Sequence, residues 1–193
     1  MIIVIEGGDQ AGKLTQSTLL EKALKKRKIK TKLFHFPDYS TPIGKEIRKY
    51  LDGKRKFPPQ TIHCLLAANR WEKLNQILEA QEKNSVLIMN RYYHSNLVYG
   101  VANGMKQKWL ESLDDGLPKA DLVILLDVTQ KESFHRQKTH RDKFEKNEEF
   151  LRKISKIYQR IAKKKHWKII DASNSKQEVH EEIMKTFSKK IGI

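Results

Sequence analysis

The sequence is nearly free of cysteine: Cys64 is the only one in 193 residues, which excludes an intramolecular disulfide and fits a reducing interior. It also lacks a long apolar run. The longest, Leu122 to Leu126, falls far short of the roughly 20 residues a membrane-spanning helix requires. The opening residues carry no basic segment ahead of their short apolar run, so they read as a first strand rather than a signal peptide, and a cytoplasmic location is expected. No repeat, linker or low-complexity tract interrupts the chain. No Cys/His cluster has zinc-ligand spacing, and no nucleophile elbow marks a hydrolase. Acidic residues are scarce: 23 stand against 39 basic ones, for a net charge of +16. Such a balance is common in proteins that meet nucleic acid, membrane surfaces or phosphate ligands.

What is present suffices for one folded domain spanning 1–193, since 38% of the residues are hydrophobic and a chain of this length buries most of its unfolded surface. Four apolar runs read as strands: Ile2 to Ile5, Ser85 to Met89, Asp121 to Asp127 and Trp167 to Ile170, with a weaker fifth at Lys32 to Phe36. Helical stretches separate them, among them a long one expected from about Gln60 to Glu82 after the turn at Pro58-Pro59. Near-continuous apolar strands alternating with helices predict an α/β sandwich, a parallel sheet covered on both faces. Residues 21–30 contribute +5 and 151–170 contribute +8, so 13 of the 16 net charges sit in two regions. The runs 25–28 and 163–165 close predicted helices, where cations complement the negative end of the helix dipole. With no DNA- or RNA-binding motif beside them, they are expected to be solvated helix ends, and no nucleic-acid or membrane partner is expected.

Directly after the first strand comes Gly7, four residues, then Gly12 and Lys13, the spacing of a phosphate-binding loop. Glycines are needed because backbone N–H groups must turn inward around phosphate oxygens at the positive end of the next helix, while Lys13 adds a full charge. One position departs. The loop calls for Ser or Thr at residue 14 to help place Mg²⁺, and the sequence has Leu14; Thr15 points about 100° away on the helix and is no simple substitute.

Several spaced motifs then occur in order: Glu6-Gly7-Gly8-Asp9-Gln10-Ala11-Gly12-Lys13-Leu14-Thr15-Gln16, F-P-D-Y-S-T-P-I-G at Phe36 to Gly44, L-L-A-A-N-R-W-E at Leu65 to Glu72, Asn90-Arg91-Tyr92-Tyr93-His94-Ser95, G-L-P-K-A-D at Gly116 to Asp121, and I-I-D-A-S at Ile169 to Ser173. Together they resemble the thymidylate kinase family of nucleoside monophosphate kinases along nearly the whole chain. The resemblance implies a three-layer sandwich with a five-stranded parallel sheet and a lid at about 134–149. It also implies a homodimer and phosphoryl transfer from ATP, with Mg²⁺, to dTMP. It assigns Gly7, Gly8, Gln10, Ala11, Gly12, Lys13, Leu14 and Thr15 to the ATP loop. Asp9 would contact the sugar and the magnesium region, and Arg91 would grip the acceptor phosphate. Phe36, Tyr39, Arg48, Leu66, Arg70, Ser95 and Tyr99 would surround the acceptor nucleotide. Arg70 shares a helix face with Ile62 and Leu74, so its charge needs a partner: the thymine carbonyl, or a structural salt bridge. Arg136 and Arg141, in the lid-like segment, are the candidates for stabilising the transferring phosphoryl group.

Three family positions are altered. Leu14 removes a hydroxyl and Asn90 a carboxylate from the metal region, and Leu66 stands where a ring would stack on thymine. The first two changes leave open a weakly active or non-catalytic nucleotide-binding paralogue; the third leaves open an altered monophosphate preference. Cys64 is expected to pack as a small residue.

Overall fold

The computed structural model describes residues 1–83, 85–128 and 148–192. Five parallel strands, β1 (Ile2–Gly7), β2 (Thr31–His35), β3 (Val86–Asn90), β4 (Leu122–Asp127) and β5 (Lys168–Asp171), pair in the order β2-β3-β1-β4-β5. The described helices are α1 (Lys13–Lys26), α2 (Pro42–Leu51), α3 (Pro59–Trp71), α4 (Leu74–Glu82), α5 (Tyr93–Ala102), α6 (Gln107–Ser112), α7 (Glu148–Lys164) and α8 (Lys176–Ile191). The expected sandwich and all five strands are present.

Both faces of the sheet are covered, and the period of two in a strand divides the core between them. Ile3 and Ile5 of β1 pack with Leu20 and Leu24 of α1 and with Val179, Ile183 and Phe187 of α8. Ile2 and Val4 point the other way, toward Phe34, Met89, Tyr92 and Ile77 of α4. On that second side α5 and α7 meet through Leu97, Val98, Ile154, Tyr158 and Ile161. The central strand β1 is buried throughout, so a continuous apolar run was required there.

The long helix expected from Gln60 to Glu82 is two helices, because α3 stops at Trp71 and α4 starts at Leu74. The break turns three polar side chains onto the loop after β2. Asn69 accepts from the Asp38 backbone N–H at 2.7 Å and donates to Thr41 Oγ1 at 2.8 Å and to Glu72 Oε2 at 2.9 Å, while Lys73 pairs with Asp38 at 2.7 Å. Gly44 completes the clamp, for a Cβ there would lie 1.8 Å from the Asp38 carbonyl oxygen. Burial pushes the Asp38 carboxyl up, but Lys73 and Ser40 outweigh it and hold its pKa at about 2. The Phe36–Pro37 peptide in this loop is cis. Cys64 does not pack: α3 turns Ile62, His63, Ala67, Asn69 and Arg70 inward, and Cys64 falls on its exposed side.

Candidate active site

The order of the strands reverses direction about β1, so a crevice opens at the carboxyl ends of β1 and its neighbours, where ligands of open α/β sheets bind. The phosphate loop emerges there. Gly7 has φ of 151°, and a Cβ on it would lie 2.5 Å from the Leu126 carbonyl oxygen. Gly12, at φ 83°, is the N-cap of α1 and offers no capping side chain, which leaves the first N–H groups of α1 facing the loop. Lys13 Nζ donates to the Gly8 carbonyl at 2.6 Å and so lies folded over the same loop. Gln10 adopts φ of 62° inside it. Leu14 is 59% exposed, and Thr15 is exposed beside it.

A second recess adjoins the loop. It encloses about 770 Å³, partly open solvent, and Asp9, Phe36, Tyr39, Leu66, Arg70, Arg91, Ser95 and Tyr99 all line it. Eight of the nine residues expected to hold the acceptor are therefore brought together from the segments after β1, β2 and β3 and from α3 and α5. Arg48 is the exception. It is exposed, pairs with Asp52 at 3.0 Å, and lies 5.5 Å over the Tyr39 ring, so it reaches the rim only through that aromatic. Arg136 and Arg141, and the lid assignment from 134 to 147, fall outside the described residues. Residues 148 and 149 begin α7.

Arg91 stands where loop and recess meet. It sits one residue past β3 at φ 64°, a left-handed conformation that side-chain-bearing residues rarely adopt. Glu6 enforces it. This wholly buried carboxylate accepts from the backbone N–H groups of Tyr92 and Ser95 at 3.0 and 3.2 Å, from Ser95 Oγ at 2.6 Å and from the Tyr158 hydroxyl at 2.9 Å. The Arg91 guanidinium donates to Gly7 O at 3.3 Å, to Ser95 Oγ at 3.2 Å and to Asp9 Oδ1. Asp9 Oδ2 accepts from the Tyr99 hydroxyl at 2.8 Å. Burial raises the Asp9 pKa, but Arg91, Lys13 and the Tyr99 hydroxyl together hold it below the ordinary carboxylate range. Burial also opposes the charge on Arg91, and the surrounding Tyr99, Asp9, Tyr158 and Glu6 keep it protonated. The result is a fixed cation at the head of a half-apolar slot.

The opposite wall holds Arg70, 3% exposed, in a two-pronged pair with Asp114 at 2.7 and 2.8 Å. The salt bridge considered for Arg70 exists, and the same residue also lines the recess. Sequence reasoning missed Asp114, which lies 44 positions away and carries no local signal. It also assigned no role to Glu6, although a lone carboxylate within the apolar run of β1 was a visible cue.

These residues fit a nucleotide's phosphates: inward N–H groups, a lysine and a helix N-terminus surround one small volume. They do not fit a metal ion held by side chains. Leu14 offers no oxygen, and both Asp9 oxygens already accept hydrogen bonds. Asn90 offers an amide and no carboxylate, its Oδ1 is buried without a partner, and no cluster of three metal-ligating residues occurs among the described ones.

A phosphate cradle that opens sideways into a slot wide enough for a base is the arrangement of the P-loop nucleoside monophosphate kinases, and the strand order agrees with that class. Within it, the family model for thymidylate kinase matches residues 5–183. The chain is 38% identical to thymidylate kinase of Schizosaccharomyces pombe over 188 residues, covering 95% of this chain and 89% of that one. It is 35% identical to human thymidylate kinase, with 94% and 87% covered. The solved structure of thymidylate kinase from Candida albicans superposes with a TM-score of 0.87 at 30% identity, covering 97% of this chain and 91% of that one. The chain belongs to the thymidylate kinase family and is a nucleoside monophosphate kinase, a phosphotransferase.

Proposed function

We infer that the chain moves the γ-phosphoryl group of ATP to dTMP, yielding dTDP. The observation that carries this reading is the position of Arg91, fixed between the phosphate loop and the recess by bonds to Gly7 O, Ser95 and Asp9. A guanidinium there can grip the acceptor phosphate in two-pronged fashion and set one of its oxygens facing the loop. That oxygen is already ionised at neutral pH, so no general base is required. Lys13 and the N–H groups of the loop take up negative charge on the donor phosphates, and Arg136 or Arg141 closes the set from the lid.

Phe36, Leu66 and Tyr39 supply the apolar surface for the base, and Arg70, held by Asp114, supplies a donor for its carbonyl. Tyr99, hydrogen-bonded to Asp9, stands at the sugar. The family uses ATP as donor, generally with Mg²⁺. In this chain a bound Mg²⁺ would have to be held by the nucleotide phosphates and water, because residues 14 and 90 provide neither hydroxyl nor carboxylate. One domain with a lid at about 134–149, a homodimeric state and a cytoplasmic location belong to the same reading. The family resemblance supports the first two, and the single cysteine the last. Among the described residues no helix is long and apolar enough to cross a membrane.

A coupled ADP-release assay with a panel of monophosphates in Mg²⁺ and Mn²⁺ tests the reading. Turnover highest with dTMP is expected; absence of turnover with dTMP overturns it.

A further inference from the structure

In a parallel sheet with helical crossovers, a helix that follows one strand must return to the start of the next, so helix C-termini gather at the amino ends of the strands. The two basic runs therefore share one end of the molecule, opposite the recess. Run 25–28 closes α1 just before β2, and run 163–165 closes α7 just before β5. Since β2 and β5 are the two edges of the sheet, four inter-strand steps of about 4.8 Å set the runs about 19 Å apart along the sheet, and because α1 and α7 cover opposite faces the runs are also separated across its thickness. Lys189 and Lys190, at the end of α8, return to the same end.

Complementing the helix dipole does not account for this charge. Lys25 and Lys26 already occupy the last turn of α1, and Lys163 and Lys164 that of α7, whereas Arg27, Lys28, Lys30 and Lys165 extend the clusters past it. Repulsion among them costs stability. Acids neutralise little of it: Lys25 pairs with Glu21, Lys165 with Glu111 and Lys168 with Glu182, and no ion pair occurs at Lys26, Arg27, Lys28, Lys163 or Lys164 among the described residues.

The backbone adds an independent sign. Among the described residues, four helices show both bonds of the same double hydrogen-bond cap, whose left-handed residue is usually glycine. In α2 and α5 it is Gly53 and Gly104. In α1 and α7 it is Lys28 at φ 60° and His166 at φ 54°, with the cap bonds Ile29 N to Leu24 O at 3.0 Å and Trp167 N to Ala162 O at 2.9 Å. At the two basic ends alone among these four, a polar side chain is kept where it strains the chain. Beside the first, Lys25, Lys28, Lys30 and Lys83 rim a shallow groove at the starts of β2 and β3, where the buried Thr31 Oγ1 has no partner.

We propose that this end of the sheet docks the phosphate backbone of a nucleic-acid duplex. A duplex carries one negative charge per about 1.7 Å of axis with both strands counted, so a stretch about 19 Å long carries about eleven phosphates around its circumference, of which about half can face one side. Lysines without stacking partners suit backbone contact: among the described residues the exposed large aromatics, Tyr39 and Trp71, belong to the loop after β2 and to the end of α3, and Trp167 beside run 163–165 is half-buried with its ring against His94, so no open platform for unpaired bases accompanies the charge there. A lipid surface is less suited: of the exposed large apolar residues among the described ones, Ile191 alone stands at the end of a helix that finishes here, Leu14 being in the first turn of α1 and Leu78 midway along α4.

The test is fluorescence anisotropy of the full chain with a labelled duplex of arbitrary sequence, from about 50 to 200 mM salt, beside anionic phospholipid vesicles. Micromolar binding is expected, with log K falling against log salt at a slope of about −4 to −5, as for about five neutralised phosphates. Lys26→Gln, Arg27→Gln, Lys28→Gln, Lys163→Gln and Lys164→Gln combined should weaken duplex binding at least tenfold and flatten the slope, leaving phosphoryl transfer to dTMP unchanged. Lys28→Gly gives a second arm secure against misfolding: relief of the left-handed strain should raise the melting temperature by about 2–4 °C while duplex affinity falls. Undetectable duplex binding at about 50 mM salt, full affinity in the five-fold variant, or tighter binding to the vesicles than to the duplex would each overturn the proposal.

Discussion

The two ends of the sheet handle positive charge in opposite ways. At the carboxyl ends of the strands the cations are few and immobilised: Arg70 is buried against Asp114, and Arg91 is tied to Asp9, Ser95 and a loop carbonyl. At the amino ends they are many, exposed and largely unpaired. A preorganised cation acts on developing charge without having to reorganise, whereas mobile lysines in water attract a polyanion without fixing its geometry. Net charge describes the second region and says almost nothing about the first.

The largest effect expected from breaking this contrast is at Arg91. Arg91→Ala should lower kcat/KM for dTMP by about 10²–10³, with Arg91→Lys restoring only part, because a point charge cannot replace the two-pronged fork. Steady-state kinetics checks the loss, and unchanged duplex affinity in the same protein would keep the two ends separate. Next comes Asp114→Ala, which strands the Arg70 charge in a buried wall and should cost about 3–5 kcal/mol in urea denaturation together with a raised KM for dTMP. An unchanged melting curve would show that Arg70 finds another partner.

A pH effect should follow from His94, just behind Arg91 in the first turn of α5. Burial, with Lys165 and Arg70 adding to it, pushes its pKa down to about 3. The folded chain thus holds it neutral while the unfolded chain protonates it below 6.5, so stability is lost as pH falls through the window from 6.5 toward 3, at up to about 1.4 kcal/mol per pH unit. Asp38, near 2, loses its contribution only as pH falls toward and below 3.8, and Glu46, Glu111 and Glu178, held below 4.5, lose theirs only from about pH 5.5 downward, so melting scans between about pH 7 and 5.5 isolate the histidines. His63 and His180 are lowered as well, so His94→Phe should reduce the slope rather than abolish it. A slope identical to that of the parent chain would remove His94 from this account. The smallest effect is expected at the altered metal region: Leu14→Ser with Asn90→Asp should raise kcat several-fold and increase the dependence of ATP affinity on Mg²⁺ in calorimetry. If both quantities stay put, the nucleotide alone suffices to hold the ion.

Much of the recess was legible because its parts are local. A glycine loop after an apolar strand, an arginine directly past another strand, and aromatics in a proline-containing loop each carry their meaning within about ten residues. The supports were not legible. Glu6 meets Tyr158 across 152 positions, Arg70 meets Asp114 across 44, and Asn69 meets Asp38 across 31. The helix break at 72–73 was missed for the same reason, since Lys73 and Glu72 turn toward partners that helical periodicity does not show. Arg48 differs in the opposite sense: proximity in sequence to the Phe36–Tyr39 loop is matched by its place over the Tyr39 ring, while its guanidinium pairs with Asp52, outside the lining of the recess.

The order of apolar runs, the loop spacing and the charge of each helix end were determined by sequence alone, because backbone sterics and hydrophobic periodicity act over a few residues. Only the tertiary structure decided which carboxylate holds which arginine. It also decided that two basic runs 135 residues or more apart lie at one end of one sheet, away from the chemistry. Those outcomes depend on parallel strands forcing the last helix of each crossover to end at the amino ends of the strands, a constraint that exists only once the sheet has formed.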